Sequence, residues 1–356
     1  MEKDNKNSKL SARELKEDEV FSLRSNFPQA SFIQDRIYGK WQEYVNRKSY
    51  RFVIEDNGKV VSYFQVVSFP LFFGKKVLYI PYGPLVKEMS PEIVIELKRT
   101  ARKILKREGA IFCRFDFFPP PSAEEQKMIR AVMTPAPLYS YHSAYFQPRD
   151  EWQLSIDKPE IELLKGMDKK TRYGINLGPR KGLRYQVVKN NLSEHLSDFY
   201  NLLSDTASRN KFKLHPREYY EGVFDEADKD GNGYLVLVWL EDKLLVANFI
   251  LMYGDTANFV FGGSSSEHRD LMAPYLANWE AIKAAKGRGA KYYNFGGVAS
   301  RDGGHDEWSG LSYFKKKFGG EPIVHSTFFD VVAKPIWYTL YMLRKRYKIR
   351  FKISTL

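Results

Sequence analysis

The chain has 356 residues, enough for two domains that each bury a core, and its 23 Tyr and 25 Phe argue against disorder away from the termini. The single Cys113 excludes an internal disulfide, no run of about 20 apolar residues is present, and the polar first residues predict no secretory signal peptide. We therefore expect a cytoplasmic protein. The net charge of +13 favours a polyanionic partner such as phosphate, nucleic acid or an anionic bilayer, with a merely basic surface as the alternative.

The first half of the chain, to about residue 149, reads as a strand-rich α/β segment after a polar stretch that we expect to be a loose tail. A basic helix is predicted over 97–107, and its cations share the outer face. Its buried face follows from the helical spacing of Leu97, Ala101, Ile104 and Leu105. Asp116 ends the next apolar strand, directly before a proline-rich loop.

The second half begins with two predicted helices. One covers 156–178 and begins near Pro159, where the first helical turn tolerates proline. The other covers 192–209, with Ser193 as its N-cap. A core rich in strands follows over 234–298.

A glycine-rich loop over 301–306 leads towards the C-terminal part of the chain. The last predicted helix begins near Pro335, and the cationic tail 344–352 follows it. We expect this tail to contact an anionic membrane peripherally. Two alternatives are a helix docked on the first domain with its charges in solvent, and a contact with a tRNA backbone.

One pattern occurs twice along the chain, 180 positions apart. Five residues recur: Gly74, Gly83, Gly109, Ala110 and Phe115 correspond to Gly254, Gly263, Gly289, Ala290 and Phe295. Both copies predict the order strand, turn, strand, helix, strand, which indicates duplication. We predict an α/β fold of two similar domains, 16–150 completed by 322–356, and 151–321. A cleft between the two halves is the expected place for a site.

Several catalytic motifs are missing from the sequence. The six His residues lack metal-ligand spacing, Cys113 lies in an apolar strand, and neither a Gly-x-Ser-x-Gly elbow nor a Walker loop occurs. The glycines of 286–290 close a helix instead of opening one, so they do not present N-terminal amides to a phosphate. We expect no metal site.

Four polar stretches remain as candidate sites. Asp116 is either a satisfied turn residue or a carboxylate facing the cleft, and the cations of Lys169–Arg172 are either a solvated face or a binding surface. His215–Tyr220 follows a basic turn. Phe314 and Lys315 precede a glycine turn, where the lysine is either a side chain that reaches solvent or a fixed cation for an oxyanion or phosphate.

These stretches, in this order, resemble the Fem family of peptidoglycan-bridge peptidyltransferases (FemA, FemB and FemX type). The resemblance covers most of the chain and rests on Phe32–Gln34, Lys169–Arg172 with Ile175, His215–Tyr220, Phe261–Ser264, Ala273–Tyr275, Tyr293–Val298 and Gly310–Gly319. It implies two tandem acetyltransferase-like (GNAT-like) domains with mixed sheets flanked by helices. It also implies transfer of an amino acid from aminoacyl-tRNA, as co-substrate and without a further cofactor, to the stem peptide of a peptidoglycan precursor. No charged, heptad-like insert is present, so the chain is similar to compact members that lack the helical hairpin for tRNA.

The resemblance implies roles for individual residues. Phe314 and Lys315 match the family's Phe-Lys pair, with the lysine at the transferred acyl group. Asp116 matches an aspartate proposed as a base, and Tyr219 matches a tyrosine that lines the precursor site. The remaining substrate-binding candidates are cations beside these motifs, Arg114 and Arg172.

Several positions depart from the family pattern. His215, with Arg217 two residues on, stands where the compact type has a phosphate-binding arginine. Gln42, with Lys40 nearby, stands where that type has a phosphate-binding lysine. Two family tyrosines are replaced, by Phe259 and Phe261. These departures leave open whether the acceptor is a lipid-linked or a UDP-linked muropeptide.

The implied reaction is aminolysis of an activated ester, in which positioning and charge stabilisation supply most of the rate. We expect Lys315→Ala to abolish transfer in a folded protein, because a surface lysine contributes little to stability. Asp116 acts at most by orienting or deprotonating the amine. An acyl-CoA N-acyltransferase is the alternative, disfavoured because neither copy has the glycine turn that cradles a pyrophosphate. A non-catalytic protein for anionic surfaces is a further alternative.

Overall fold

The computed structural model describes residues 10–16, 18–19, 21–136, 147–148, 150–299, 308–324 and 328–346. The chain divides into two compact units, Met1–Gln147 together with His325–Leu356, and Pro148–Val324. This division falls close to the predicted boundaries, and the independence of the two domains stays a prediction. The glycine-rich loop 301–306 and residues 347–352 of the predicted tail 344–352 lie outside the described residues.

The first unit is a mixed sheet with helices. Its strands are β1 Leu10–Glu14, β2 Ser49–Asp56, β3 Lys59–Pro70, β4 Lys76–Ile80, β5 Leu85–Val86, β6 Phe112–Asp116, β7 Thr134–Pro135 and β15 Phe328–Val332. Its helices are α1 Leu23–Asn26, α2 Arg36–Glu43, α3 Pro91–Glu108, α4 Ala123–Arg130 and α11 Pro335–Arg346. The strand order is β1-β2-β3-β4-β6-β15-β7, with β5 paired to β3. The C-terminal strand β15 therefore lies inside this sheet, as the predicted completion of the first domain requires.

The second unit is also a mixed sheet with helices. Its strands are β8 Asp150–Ser155, β9 Leu183–Val188, β10 Gly233–Leu240, β11 Lys243–Tyr253, β12 Thr256–Ser264, β13 Tyr292–Val298 and β14 Glu321–Val324. Its helices are α5 Glu160–Gly166, α6 Lys169–Arg180, α7 Leu196–Asn210, α8 Arg217–Asp230, α9 Ala273–Gly287 and α10 Ser309–Lys316. The strand order is β14-β8-β13-β12-β11-β10-β9. Within the described part of the chain, an apolar cluster of 24 buried residues lies between this sheet and helices α6 and α9.

The two units share one strand and helix order. In the first, the hairpin β3–β4 is followed by α3 and by β6, which pairs with β4 in parallel. In the second, the hairpin β11–β12 is followed by α9 and by β13, which pairs with β12 in parallel. The order read from the sequence repeat is confirmed, and so is the predicted α/β class.

Helix α3 shows how the sequence sets these boundaries. Ser90 caps its first turn by accepting a hydrogen bond from Ile93 N, and Pro91 occupies the first helical position. Gly109 ends the helix at φ +63°, a conformation that glycine adopts without steric cost. The predicted apolar face is buried, and the predicted cationic outer face is confirmed.

Three local expectations are wrong. Leu10–Glu14 is not a loose tail, because it forms β1 and pairs with β2. Ser193 is not an N-cap, because it lies inside a 3₁₀ turn before α7 and its hydroxyl donates to Asp225. The helix expected over 156–178 is two helices, and Asp168 caps the second by accepting from Lys170 N. Within the described ranges, no helix is long and apolar enough to cross a bilayer.

Candidate active site

Lys315 is buried in the second unit, near the end of α10. Only 6% of the residue is exposed, and Nζ donates a hydrogen bond to the carbonyl oxygen of Gly297 at 2.7 Å. The expectation of a surface lysine is therefore wrong. The glycine backbone at the end of β13 offers both the space and the acceptor that let the ammonium lie inside the protein.

The sheet opens beside this lysine. Among the described residues, the parallel ladder between β12 and β13 ends at Asn258 and Asn294, although both strands continue. From Gly297 onward, β13 pairs only with β8. The ends of β12 and β13 therefore diverge, and backbone groups that a continued ladder would use are left for another partner. We call the space between these diverging strand ends the wedge, and Lys315 lies in it.

A hydrogen-bond chain fixes the backbone around the ammonium. Gly296 has φ +72°, and a methyl group built on it would lie 3.4 Å from Phe259 O and 4.0 Å from Lys315 Nζ. Asn294 Oδ1 accepts from Gly296 N at 2.7 Å, while its Nδ2 donates to Glu151 Oε2 at 2.9 Å. Asn294 and Glu151 thus hold the glycine turn against which Lys315 rests.

Ser312 ties α10 to the same strand end. Its hydroxyl donates to Trp308 O at 2.7 Å and accepts from Ala299 N at 2.7 Å. The Ser312 side chain is buried, and both hydrogen bonds are partly buried. Because Lys315 lies three residues further along this helix, these hydrogen bonds help to position the lysine.

Burial changes the chemistry of Lys315. It lowers the pKa of the side chain from 10.5 to about 8, and the negative charge of Glu151 opposes the shift. At pH 7 the lysine is still mostly protonated, and its charge is lost as the pH rises through 8. A cation that water does not screen interacts strongly with a negative charge developing beside it. The wedge is therefore suited to stabilising an oxyanion.

A cavity of about 590 Å³ adjoins Phe314, the residue before the lysine. Its size is ordinary for a ligand site. Tyr275 packs edge-on against Phe314, with the ring centroids 4.9 Å apart, and both line the cavity. The polar lining is mixed in charge, with a cationic majority: Lys170, Arg209, Arg269, His268, Glu267 and Asp270. This composition suits a ligand that combines phosphates with a flat base.

His215 and Tyr219 lie on the other face of the same sheet. Their rings are 4.2 Å apart, and Tyr219 packs at 6.2 Å against Phe261. Phe259, two residues earlier, packs instead against the core on the α6 and α9 side. A bulge opposite Ile250 turns the two phenylalanines to opposite faces. The wedge beside Lys315 and the aromatic cluster of His215, Tyr219 and Phe261 are therefore two separate candidate sites in this unit.

Two predicted cations of the second unit already have partners in the protein. Arg172 donates to the carbonyl oxygens of Leu164 and Met167, which lie at the end of α5. Arg217 donates to Ser197 Oγ at 2.8 Å. These contacts favour a structural role for Arg172, whereas Arg217 is exposed and its hydrogen bond is one that a ligand could replace.

In the first unit, Asp116 ends β6 and is buried. The Tyr79 hydroxyl donates to its Oδ2, and Gly83 N donates to its carbonyl oxygen at 2.7 Å. Burial raises the pKa of Tyr79, and the Asp116 charge adds to the rise, so the phenol stays protonated as a donor. The Tyr79 hydroxyl thus satisfies Oδ2 of the buried carboxylate, and both readings of Asp116 stay open.

The other candidates of the first unit differ in environment. Arg114 is buried and binds Asp330 through two hydrogen bonds of 2.9 and 2.7 Å, an arrangement that favours a structural role. Lys40 lines a smaller cavity of about 160 Å³ and lies 3.2 Å from Glu43. Gln42 is buried and accepts from Arg47 Nη1 at 2.8 Å. Lys40 is thus the candidate that a ligand can reach.

The sequence analysis did not single out three residues that shape the wedge and the cavity: Asn294, Glu151 and Arg269. Asn294 lies within the motif Tyr293–Val298, so motif reading could have found it. Glu151 and Arg269 stand in no motif. Only the fold brings Glu151 on β8 to Asn294 on β13, and Arg269 to the cavity before α9.

Comparison with known proteins shows similarity along nearly the whole chain. The FemAB family model matches residues 15–241 and 240–346. The lipid II:glycine glycyltransferase of Staphylococcus epidermidis is 22% identical over 86% of this chain and 89% of that protein. The enzyme of the same name from Staphylococcus aureus is 23% identical over 78% and 82%.

Solved structures agree on the fold. The crystal structure of FemX superposes with a TM-score of 0.77 at 20% identity, covering 90% of this chain and 98% of FemX. A tandem GNAT protein from the clavulanic acid biosynthesis pathway has a TM-score of 0.51 at 12% identity, covering 80% and 82%. The prediction of two tandem acetyltransferase-like halves is confirmed. With the family model matching both halves, the chain belongs to the FemAB family.

Proposed function

We propose that this transferase moves an amino acid from aminoacyl-tRNA to the amino group of a peptidoglycan precursor stem peptide. Membership of the FemAB family supports acyl transfer to an amine. Its relatives are named as lipid II:glycine glycyltransferases, which favours glycine as the transferred residue and a lipid-linked muropeptide as the acceptor. The buried cation of Lys315 in the open wedge is the observation that carries the proposal.

The reaction balances without a cofactor. The acceptor amine attacks the aminoacyl carbonyl carbon, a C–N bond forms, and the carbonyl oxygen becomes an oxyanion. The C–O bond to the ribose then breaks, and the proton lost by the amine reaches the ribose oxygen. The Lys315 ammonium stabilises the oxyanion, and its pKa of about 8 also suits it to give a proton to the leaving oxygen.

The cavity beside Phe314 is the proposed site for the 3′ end of the donor RNA. Its cations Lys170 and Arg269 would neutralise phosphates, and Tyr275 offers an aromatic surface to a base. The cavity adjoins the residue next to Lys315, so a nucleotide bound there brings its ester within reach of the wedge. A donor placed in this way gains most of its rate from positioning.

Asp116 has the weaker role in this proposal. Its buried carboxylate is held by Tyr79 and is at most an orienting group for the incoming amine. Tyr219, His215 and Arg217 stay candidates for contact with the precursor, as does Lys40 in the first unit.

An acyl-CoA-dependent N-acyltransferase is the second candidate, because the cavity precedes α9 at the place where a coenzyme pyrophosphate could lie. The connection from Ser265 to Met272 contains no glycine, however, and His268 and Met272 take its left-handed positions. Such a connection lacks the open glycine amides that cradle a pyrophosphate. This difference favours the tRNA donor.

The test is transfer of labelled glycine from charged tRNA to a lipid-linked precursor, with acetyl-CoA and glycyl-CoA as alternative donors. We expect transfer from the charged tRNA alone. Lys315→Ala is expected to lower turnover by about a hundred- to a thousand-fold, as loss of an oxyanion donor does. Lys316→Ala is the matched control, since Lys316 is the exposed neighbour on the same helix. Transfer from a CoA thioester at the rate of the charged tRNA would contradict the proposal.

A further inference from the structure

An exposed apolar surface lies on the first unit, where the turn Phe72–Gly74 meets α11. Phe73 and Ile336 are each 76% exposed. The ring of Trp337 lies 6.3 Å from that of Phe72 and 6.4 Å from that of Phe73. We call this area the Trp337 surface and define it by five residues: Phe73, Ile336, Trp337, Leu340 and Leu343. The buried Phe72 packs against Trp337 and is not counted in it.

The apolar stripe of α11 is not part of the core that the helix helps to build. The inner face of α11 packs through Tyr341 and Met342, and the Tyr341 ring lies 5.1 Å from that of Phe112. Ile336, Leu340 and Leu343 follow at spacings of four and three residues and are exposed. Helix α11 thus docks on the first unit through this face, and it leaves an apolar outer face in solvent.

Phe73 is held outward by an unusual backbone. Its φ of +54° lies in the left-handed region, which aromatic residues rarely occupy. An exposed phenylalanine there gains nothing from the core of the protein. A large apolar side chain kept at such a position indicates a contact with something outside the chain.

Two cations lie beside the Trp337 surface. Lys75 Nζ lies 4.9 Å above the Trp337 ring, and the Arg344 guanidinium lies 4.8 Å above that of Phe72. The sequence from Val331 to Leu356 holds seven Lys or Arg residues and neither Asp nor Glu. An apolar centre with a basic rim matches an anionic bilayer, in which apolar side chains enter the acyl region and cations meet the headgroups.

We propose that the Trp337 surface docks on the surface of an anionic lipid bilayer. An RNA backbone would use the cations but leave Phe73 and Ile336 in water, so the bilayer accounts for both parts of the surface. The advantage of membrane docking for catalysis rests on the proposed function, since docking brings the enzyme to a lipid-linked acceptor. The docking itself is tested with vesicles that contain no acceptor, so its outcome is independent of transfer activity.

The experiment measures sedimentation of the full-length chain with vesicles of phosphatidylcholine alone or mixed with phosphatidylglycerol, at low and moderate salt. We expect binding to the anionic vesicles only. The double variant Phe73→Asn with Ile336→Gln should lower the partition coefficient by about tenfold or more, because two apolar side chains no longer leave water. Asparagine suits the left-handed backbone at residue 73, so this variant keeps the fold.

Two controls test whether the effect belongs to this surface. Ile161→Gln removes another exposed isoleucine, 64% exposed on α5, and should bind as the wild type does. The triple variant Lys98→Gln, Arg102→Gln, Lys103→Gln removes cations from the outer face of α3 and should also retain binding at moderate salt. If the triple variant loses as much binding as the double variant, or if the double variant binds normally, the proposal fails.

A fluorescence measurement reports depth independently of affinity. Vesicles with brominated acyl chains quench tryptophans that enter the bilayer, and we expect them to quench the full-length chain. Trp337→Phe should remove most of this quenching while sedimentation is unchanged. Equal quenching with and without Trp337 would show that another of the six tryptophans enters the lipid and would overturn the assignment.

Discussion

Replacing Lys315 by methionine separates its contribution to stability from its contribution to catalysis. Methionine keeps most of the volume and removes the charge. A fall in pKa from 10.5 to about 8 corresponds to about 3 kcal/mol against the charged form in the folded protein. Losing the hydrogen bond to Gly297 costs about 1–3 kcal/mol in the other direction. The two effects nearly cancel, so we expect Lys315→Met at pH 7 to unfold within about 2 kcal/mol of the wild type.

The pH dependence of stability follows from the same pKa. Because the folded pKa lies below the unfolded one, the unfolded chain binds more protons between about pH 8 and pH 10.5. Wild-type stability therefore gains up to about 3 kcal/mol from this group as the pH rises through that window. Lys315→Met lacks this gain. The free energy of unfolding of the variant, relative to that of the wild type, should be highest near neutral pH and lowest above pH 10.

The assays are denaturant unfolding at pH 7 and pH 10 and single-turnover transfer at pH 7. Lys315→Met should lose about a hundred- to a thousand-fold in transfer while its unfolding at pH 7 is little changed. Lys316→Met, at the exposed neighbouring position, should change neither. The reasoning is refuted if Lys315→Met retains near-normal turnover, or if the wild type and the variant show the same change in stability between the two pH values.

Four further predictions concern other residues. Asp116→Asn should lower the single-turnover rate by less than about tenfold, and a complete loss would make it a base. Gly296→Ala should destabilise by about 1 kcal/mol in thermal melts and slow transfer, because φ +72° disfavours alanine. Arg269→Ala should raise KM for charged tRNA and reduce its salt dependence with kcat unchanged, whereas an altered kcat alone would remove it from the donor site. Asp330→Asn should lower the free energy of unfolding by about 3–5 kcal/mol, because it removes the carboxylate that balances the buried Arg114 charge. A change under about 1 kcal/mol in denaturant titrations would disprove that role.

The sequence was sufficient for the fold because the signals of the fold are local. Gly109 stops α3 by its own conformation, and Pro91 with Ser90 begins it. The repeat at an offset of 180 positions then predicts the same order of strands and helices in the second unit, and this prediction requires no knowledge of long-range contacts. The shared strand and helix order is therefore readable from spacing and turn residues alone.

Partners far away in sequence limited the prediction of the site. Arg114 is a plausible ligand cation by type, but Asp330, 216 residues further on, binds it in the core. Lys315 looks like any exposed helical lysine until the end of β13 supplies the Gly297 carbonyl oxygen. Glu151 has no motif and becomes relevant only through Asn294. Burial and pairing of this kind follow from packing and not from residue type.

The duplication explains why the candidate groups occupy comparable places in the two units. The offset of 180 aligns Asp116 with Gly296 and Gly83 with Gly263. In the first unit, Gly83 bridges to Asp116 and closes the space beyond the β4–β6 ladder. In the second, the described pairing of β12 with β13 ends earlier, and the wedge so opened is next to Lys315. The two equivalent positions thus carry a carboxylate in a closed setting and a glycine beside a cation in an open one. That difference supports the proposal that the chemistry of acyl transfer belongs to the second unit.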